Sequence, residues 1–418
     1  MIGKLIYITA LVALVVSCGT GTGRSSEEDS GKNGAGDELQ SESAGAAEGV
    51  EVDFDGSDLP EEFQGQSPPA GAGREFSTDF SRATISYDQV MSGGPPKDGI
   101  PAVDDPSFVD IAEADEWMSP NESVMVVSLE ESDGSGDGEK STRVYPIQIL
   151  MWHEIVNDSF AGRPVTVTYC PLCNTGIAFD RKFDGRTLDF GTTGRLRYSN
   201  LIMYDRRTES WWQQATGRAI AGTYAGARLD MVPMLMLPWN EVKEEHPDAE
   251  VLSRDTGYNR SYGRNPYRNY DSSDSPFLYS GPTDDEFSPM TRVVTVFHND
   301  DSQGFPYPTL REERAVTETI GGEEIVVFWH EGTASPLDSG DVSEGRDVGT
   351  ANAFFSEVDG QSLSFTVEGD EIVDEETGST WEVTGRAVDG PLEGNRLSPV
   401  TTSQHFWFSW TAFEDESG

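Results

Sequence analysis

The chain has 418 residues, 36% of them hydrophobic, which is long enough for two or three domains and apolar enough for a sizeable core. Its 74 acidic residues against 29 basic ones, 6 Lys and 23 Arg, give a formal net charge of −45. That balance argues against nucleic acid and anionic membrane surfaces as partners, since both need basic surface, and it predicts a salt-adapted protein from a halophilic source, whose self-repulsion is screened once molar salt shortens the Debye length to about 3 Å.

The opening residues 1–17, MIGKLIYITALVALVVS, place one Lys before an apolar run from Leu5 to Val16. This is the layout of a signal peptide, and the run is too short to span a bilayer. It ends in VVSC, which reads as a lipobox with Cys18 as the lipidated residue. A diacylglyceryl anchor inserts two chains, as stable attachment to a lipid bilayer requires. The expected location is therefore extracytoplasmic, on the outer face of the cell membrane. Residues 18–75 are rich in Gly, Ser, Glu and Asp and are expected to form a disordered acidic tether.

A first β-rich module is expected over 76–250. It opens with DFSRATISYDQV and a Gly/Pro-rich loop, SGGPPKDGIPAVDDPSF. SDGSGDG (132–138) reads as an acidic hairpin tip. YPIQILMWHEIV has helical spacing, with Ile149, Trp152, His153 and Val156 on one side. RPVTVTY alternates as a strand, and IAFDRKFDGRTLDFG reads as a hairpin turning at Asp184-Gly185.

The sequence then repeats itself. DRRTESWWQQATGRAIAGTYAGARL (205–229) matches DEETGSTWEVTGRAVDGPLEGNRL (374–397), aligning Asp205, Thr208, Ser210 and Trp212 with Asp374, Thr377, Ser379 and Trp381. Upstream, Pro146, Val156, Gly162, Val165 and Val167 match Pro306, Val316, Gly322, Ile325 and Val327 at one offset of 160. The expected fold is thus mainly β with a few short helices (α+β): a tandem duplication in pseudo-twofold arrangement. A second module, 291–418, follows an Arg/Tyr-rich insertion and linker at 251–290. The same offset pairs Cys170 with His330 and Cys173 with Thr333, so the second copy is degenerate and lacks the thiol pair.

Between Asp79 and Phe413 the chain resembles the domain of unknown function 3179 family. The resemblance is carried by GGPPKDGIPA, YPIQILMWHEIVND, VTYCPLCNTGIAFD, RRTESWWQQATGRAIAG, VLSRDTGYNRSYGRNPY and HFWFSWTAF. Some relatives are described as selenoproteins. The resemblance therefore implies redox chemistry at the position of a reactive cysteine, which here is Cys170 or Cys173.

Three roles are open to the Cys-Pro-Leu-Cys pair. As a structural clamp it is weak, since closing a four-residue loop contributes roughly 2 kcal/mol against almost 5 for a hundred-residue loop. As a thiol pair, one thiolate attacks and its neighbour resolves the intermediate. In this reading Cys170 is the more exposed attacker, Cys173 resolves, His153 and Arg254 or Arg264 tune the pair, and a redox partner accepts the electrons. As half of a metal site it needs further ligands; Cys170, Cys173, His153 and His330 would suit a copper or zinc ion. The pair is followed by NTGIAFDRKF, a strand and not a helix, so any such chemistry sits on a β scaffold.

The insertion VLSRDTGYNRSYGRNPYRNY (251–270) is a basic island in an acidic chain. Arg254, Arg260, Arg264 and Arg268 with Tyr258, Tyr262 and Tyr267 could hold a small anionic ligand, which would make the protein a non-catalytic binding module. They could equally fold over the cysteines. No phosphate loop, nucleophile elbow, HExxH or dinucleotide fingerprint is present.

Overall fold

The repeat seen in sequence recurs element by element. The structure, a computed structural model, describes residues 54, 56, 58–130 and 140–417. The leader, Cys18, most of the tether and the 132–138 hairpin tip lie outside the described residues.

Each copy begins with an antiparallel hairpin: Ser123–Glu130 with Lys140–Pro146, and Arg292–His298 with Asp301–Pro306. The closing proline fixes φ and has no N–H to lose, so it caps a short helix, Ile147–His153 in one copy and Tyr307–Glu313 in the other. Both helices stop at a residue in left-handed backbone, Glu154 with φ 60° and Arg314 with φ 62°. The helical spacing read through Val156 is thus cut short, and β-branched Ile155 and Val156 start a strand.

Three antiparallel strands follow in each copy. They are Ile155–Phe160, Arg163–Cys170 and Thr175–Asp180 in the first, and Ala315–Ile320, Glu323–His330 and Thr350–Phe355 in the second. The Asp184-Gly185 turn appears as read, with both residues at positive φ. A smaller sheet then carries the most alike sequence. In it Asp205 accepts from the Thr208 hydroxyl (2.7 Å) and the Trp212 indole (3.1 Å), while Asp374 accepts from Thr377 (2.8 Å) and Trp381 (2.9 Å). The conserved letters of the repeat are the members of this one network. The protein is mainly β with a few short helices.

The copies are more entangled than two packed faces. The late strand of the second copy, Thr401–Phe406, pairs with its own hairpin and also joins Thr175–Asp180 of the first at Gln404 and Gly176. The late strand of the first, Leu235–Pro238, pairs with its own hairpin and lies against Thr350–Phe355 of the second. There the Met236 N–H donates to the Asn352 side-chain oxygen (2.9 Å) and the Met236 carbonyl accepts from the Asn352 side-chain nitrogen (3.0 Å). Helix ends cross in the same way. Glu245, after the first copy's late strand, binds Arg386 and Arg396 of the second (2.6 Å each), and Glu416 at the second copy's end binds Arg197 and Arg218 of the first.

Residues 58–75, read as the last part of the tether, are folded. Pro69 and Ala72 are buried, and the Gln64 side chain donates to the carbonyls of Pro60 (2.9 Å) and Ala83 (2.7 Å). Few but well-spaced apolar residues suffice here, because they cover a core formed by other segments.

Candidate functional site

Cys170 is the last residue of its strand, and Pro171-Leu172-Cys173-Asn174 is the turn that returns the chain to Thr175. The Cys173 N–H bonds the Cys170 carbonyl (3.2 Å), and Asn174 takes φ 52°, a backbone region that Asn tolerates. This tight turn brings the two sulfurs to 2.9 Å of each other as free thiols. In the second copy the strand ends at His330, and the short turn is replaced by residues 331–349.

The sulfurs face polar groups. Cys173 donates to the Ser199 carbonyl (3.3 Å), as does Cys170 at 3.7 Å, and Asn200 Nδ2 donates to the Cys173 sulfur (3.3 Å). Asn200 is fixed in turn by Gln213 (2.6 Å) and Gln214 (2.8 Å). Ser199 sits with Tyr198 in a two-residue turn at positive φ, 51° and 65°, an unusual conformation for such residues. Burial pushes the Cys170 thiol well above its ordinary value, and the bond to Cys173 and the nearby Glu154 add to this; the Leu201 N–H acts in the opposite sense.

Neither sulfur is exposed, at 1% for Cys170 and 0% for Cys173, which corrects the expectation of an exposed attacker. The cover is the insertion, acting as a strap. The Tyr270 hydroxyl donates to the Leu172 carbonyl inside the turn (2.8 Å), and the Ser199 hydroxyl donates to the Phe277 carbonyl. The strap is held down by the very segment that replaces the turn in the second copy. Asn265, Asn269 and Tyr270 N–H groups bond the carbonyls of Gly340 (3.1 Å), Asp338 (2.7 Å) and Leu337 (3.0 Å). Fully buried Asp271 is clamped by Arg292 (3.3 Å) and Arg346 (3.0 Å). The segment that stands in place of the turn in the second copy thus anchors a cover over the first.

The other sequence candidates lie elsewhere. His153 is buried, donates from Nδ1 to the Pro101 carbonyl (2.8 Å), and accepts at Nε2 from Tyr262 (2.6 Å). Burial lowers its pKa, countered by the Pro101 bond. Arg254 lies over the Trp117 ring (4.5 Å) and donates to Gln148 (3.0 Å). Arg264 is 63% exposed and pairs with Asp341 at 3.5 Å. His330 ends the equivalent strand of the other copy. Among the described residues no group of three or more His, Cys, Asp or Glu could hold a metal, so the set Cys170, Cys173, His153 and His330 is not assembled. Among the described residues the insertion bonds the turn through Tyr270 and not through its arginines.

Sequence reasoning passes over Ser199, Asn200 and Tyr270, which bond the sulfurs or their turn, while Tyr267 lies in the insertion it does single out. Glu154 is 7% exposed, and burial lifts its carboxyl to about 8. Tyr267 is raised by burial, then by Glu154 and Cys170. A signal exists for one of them: Tyr-Ser between two apolar strands, without Gly or Asn, is a costly hairpin turn.

A family model described as a protein of unknown function (DUF3179) matches residues 97–417. The chain belongs to the DUF3179 family. The matched span takes in both copies, the CPLC turn and the strap. Neither the curated proteins nor the solved structures give a match to this chain.

Proposed function

We propose that this DUF3179 protein is an extracytoplasmic, lipid-anchored thiol–disulfide oxidoreductase whose working couple is Cys170 and Cys173. The observation that carries this reading is the 2.9 Å approach of two free sulfurs on one rigid turn, walled by amides and carbonyls. A bond between them needs about 2.05 Å and so requires only a small closure. The co-reactant is a disulfide of a partner polypeptide or small molecule. The Cys170 thiolate attacks one of its sulfurs, forming a mixed disulfide and releasing a thiolate. Cys173 then loses its proton and attacks Cys170, forming the intramolecular bond and releasing the partner's second thiolate. Two electrons pass from the pair to the partner, and the partner's thiolates take up two protons. The strap sets access, since the sulfurs are covered while Tyr270 and Phe277 hold it down. The VVSC leader supports anchoring at Cys18.

The test is a thiol count. Oxidised dithiothreitol should remove two reactive thiols from the chain lacking its first 18 residues, reduced dithiothreitol should restore them, and Cys173→Ser should abolish the cycle. Thiol counts that stay the same under both treatments overturn the reading. Cys18→Ser in the full chain should release it from the membrane fraction.

A further inference from the structure

We infer that Glu154 carries the proton of Cys170, taking it as the thiolate forms and returning it when the bond is reduced; this rests on the redox reading above.

Three observations lead there. First, Glu154 is more than nine-tenths buried as a residue, and its carboxyl makes no hydrogen bond or ion pair among the described residues. A buried carboxyl without a partner is costly, so folding alone gives no reason to keep it. Second, its backbone is fixed one residue from Cys170. Glu154 ends the helix Ile147–His153 in left-handed backbone, and its carbonyl accepts the N–H of Tyr169, the residue before Cys170, at 2.8 Å. The titratable groups that its charge acts on are Cys170 from the end of that strand and Tyr267 from the strap, both pushed up by it. Third, the duplication supplies a control within the same chain. Arg314 occupies the same position, with its carbonyl accepting from Trp329 at 2.8 Å, and its side chain reaches Asp370 at 3.3 Å. The backbone therefore does not require an acid there. The copy that keeps two thiols keeps a lone buried carboxyl, and the copy without thiols has a paired cation.

The steps balance. On oxidation the Cys170 S–H gives its proton to the Glu154 carboxylate, and the thiolate attacks the partner disulfide. On reduction an incoming thiolate attacks Cys170 and releases Cys173; the reductant's second thiolate then attacks the outer sulfur of the mixed disulfide, and the departing Cys170 sulfur takes the proton from the Glu154 carboxyl. A carboxyl lifted to about 8 is poised for both directions near neutrality.

The experiment follows the rate at which dithiothreitol reduces the oxidised pair, from pH 5 to pH 10, in wild type, Glu154→Gln and Glu154→Asp. Wild type should show an inflection near pH 8 in addition to the titration of the reductant. Glu154→Gln should lose that inflection and react at least about ten-fold more slowly at pH 7, while still forming the bond at equilibrium. Glu154→Asp should keep an inflection at a displaced pH, and it carries the test if the Gln variant does not fold. A Gln variant with the wild-type rate and profile overturns the role of Glu154 and leaves the redox reading standing. A wild type that never forms the bond overturns the redox reading and this inference with it.

Discussion

Glu154 and Arg314 stand at the same point of the two copies, each in left-handed backbone at a helix end, one an acid and the other a base. The two copies thus share a framework and differ where chemistry is placed on it.

The Glu154 side has a stability consequence. Burial lifts its carboxyl to about 8 from an ordinary 4.5. The folded chain keeps a proton there that the unfolded chain releases, so this group lowers stability as pH rises from about 4.5 to about 8. In urea titrations Glu154→Gln should match wild type near pH 4.5 and exceed it at pH 9, by on the order of a few kcal/mol. Parallel pH dependence of the two proteins would contradict the burial.

Access to the sulfurs depends on the strap. The bond from Tyr270 to the Leu172 carbonyl (2.8 Å) contributes about 1 kcal/mol to its closure. Tyr270→Phe should therefore raise the alkylation rate of the reduced cysteines by about five-fold, with little change in Tm. A rate equal to wild type would mean that the sulfurs are reached by another route.

Equivalent glycines should be equally intolerant. Gly217 and Gly385 have φ of 67° and 76°, and a Cβ would lie 2.7 Å from Phe179 and 2.5 Å from Phe354. Left-handed backbone and overpacking together should make Gly217→Ala and Gly385→Ala each cost about 3 kcal/mol, measured by denaturant unfolding. A large difference between them would show that the two copies bear unequal load.

The charge of −45 predicts a salt response. Tm should climb as potassium chloride rises from 0.1 M towards 2 M, as screening relieves repulsion among acidic side chains. A flat profile would mean that local pairs such as Arg143–Asp158 (2.5 Å) already offset it.

Much of the architecture was legible because a duplication leaves its marks at residues with strict geometric duties. Asp205, Thr208 and Trp212 form one network, and their counterparts form it again. The cysteine pair was legible because its contact depends on four neighbouring residues. The surroundings were not, because they come from distant segments: Ser199 from a hairpin turn, Tyr270 from the insertion, Glu154 from a helix end. Helical spacing marks His153, yet the helix stops there and its ring turns to Pro101 and Tyr262. Charge contrast marks the insertion by its arginines, whereas Tyr270 reaches the turn. Sequence contrast shows that a segment is unusual, and only packing shows which of its side chains face inward.

The interleaving of late strands bears on how the molecule is made. A cut within 251–290 would leave two fragments that divide one seven-stranded sheet between them, where Thr401–Phe406 meets Thr175–Asp180. Neither fragment could complete that sheet alone, so separately produced pieces should each unfold at lower denaturant than the intact chain and regain stability on mixing. During synthesis, the first half must wait for Thr401–Phe406, almost the last segment to emerge, before its sheet acquires its final neighbour.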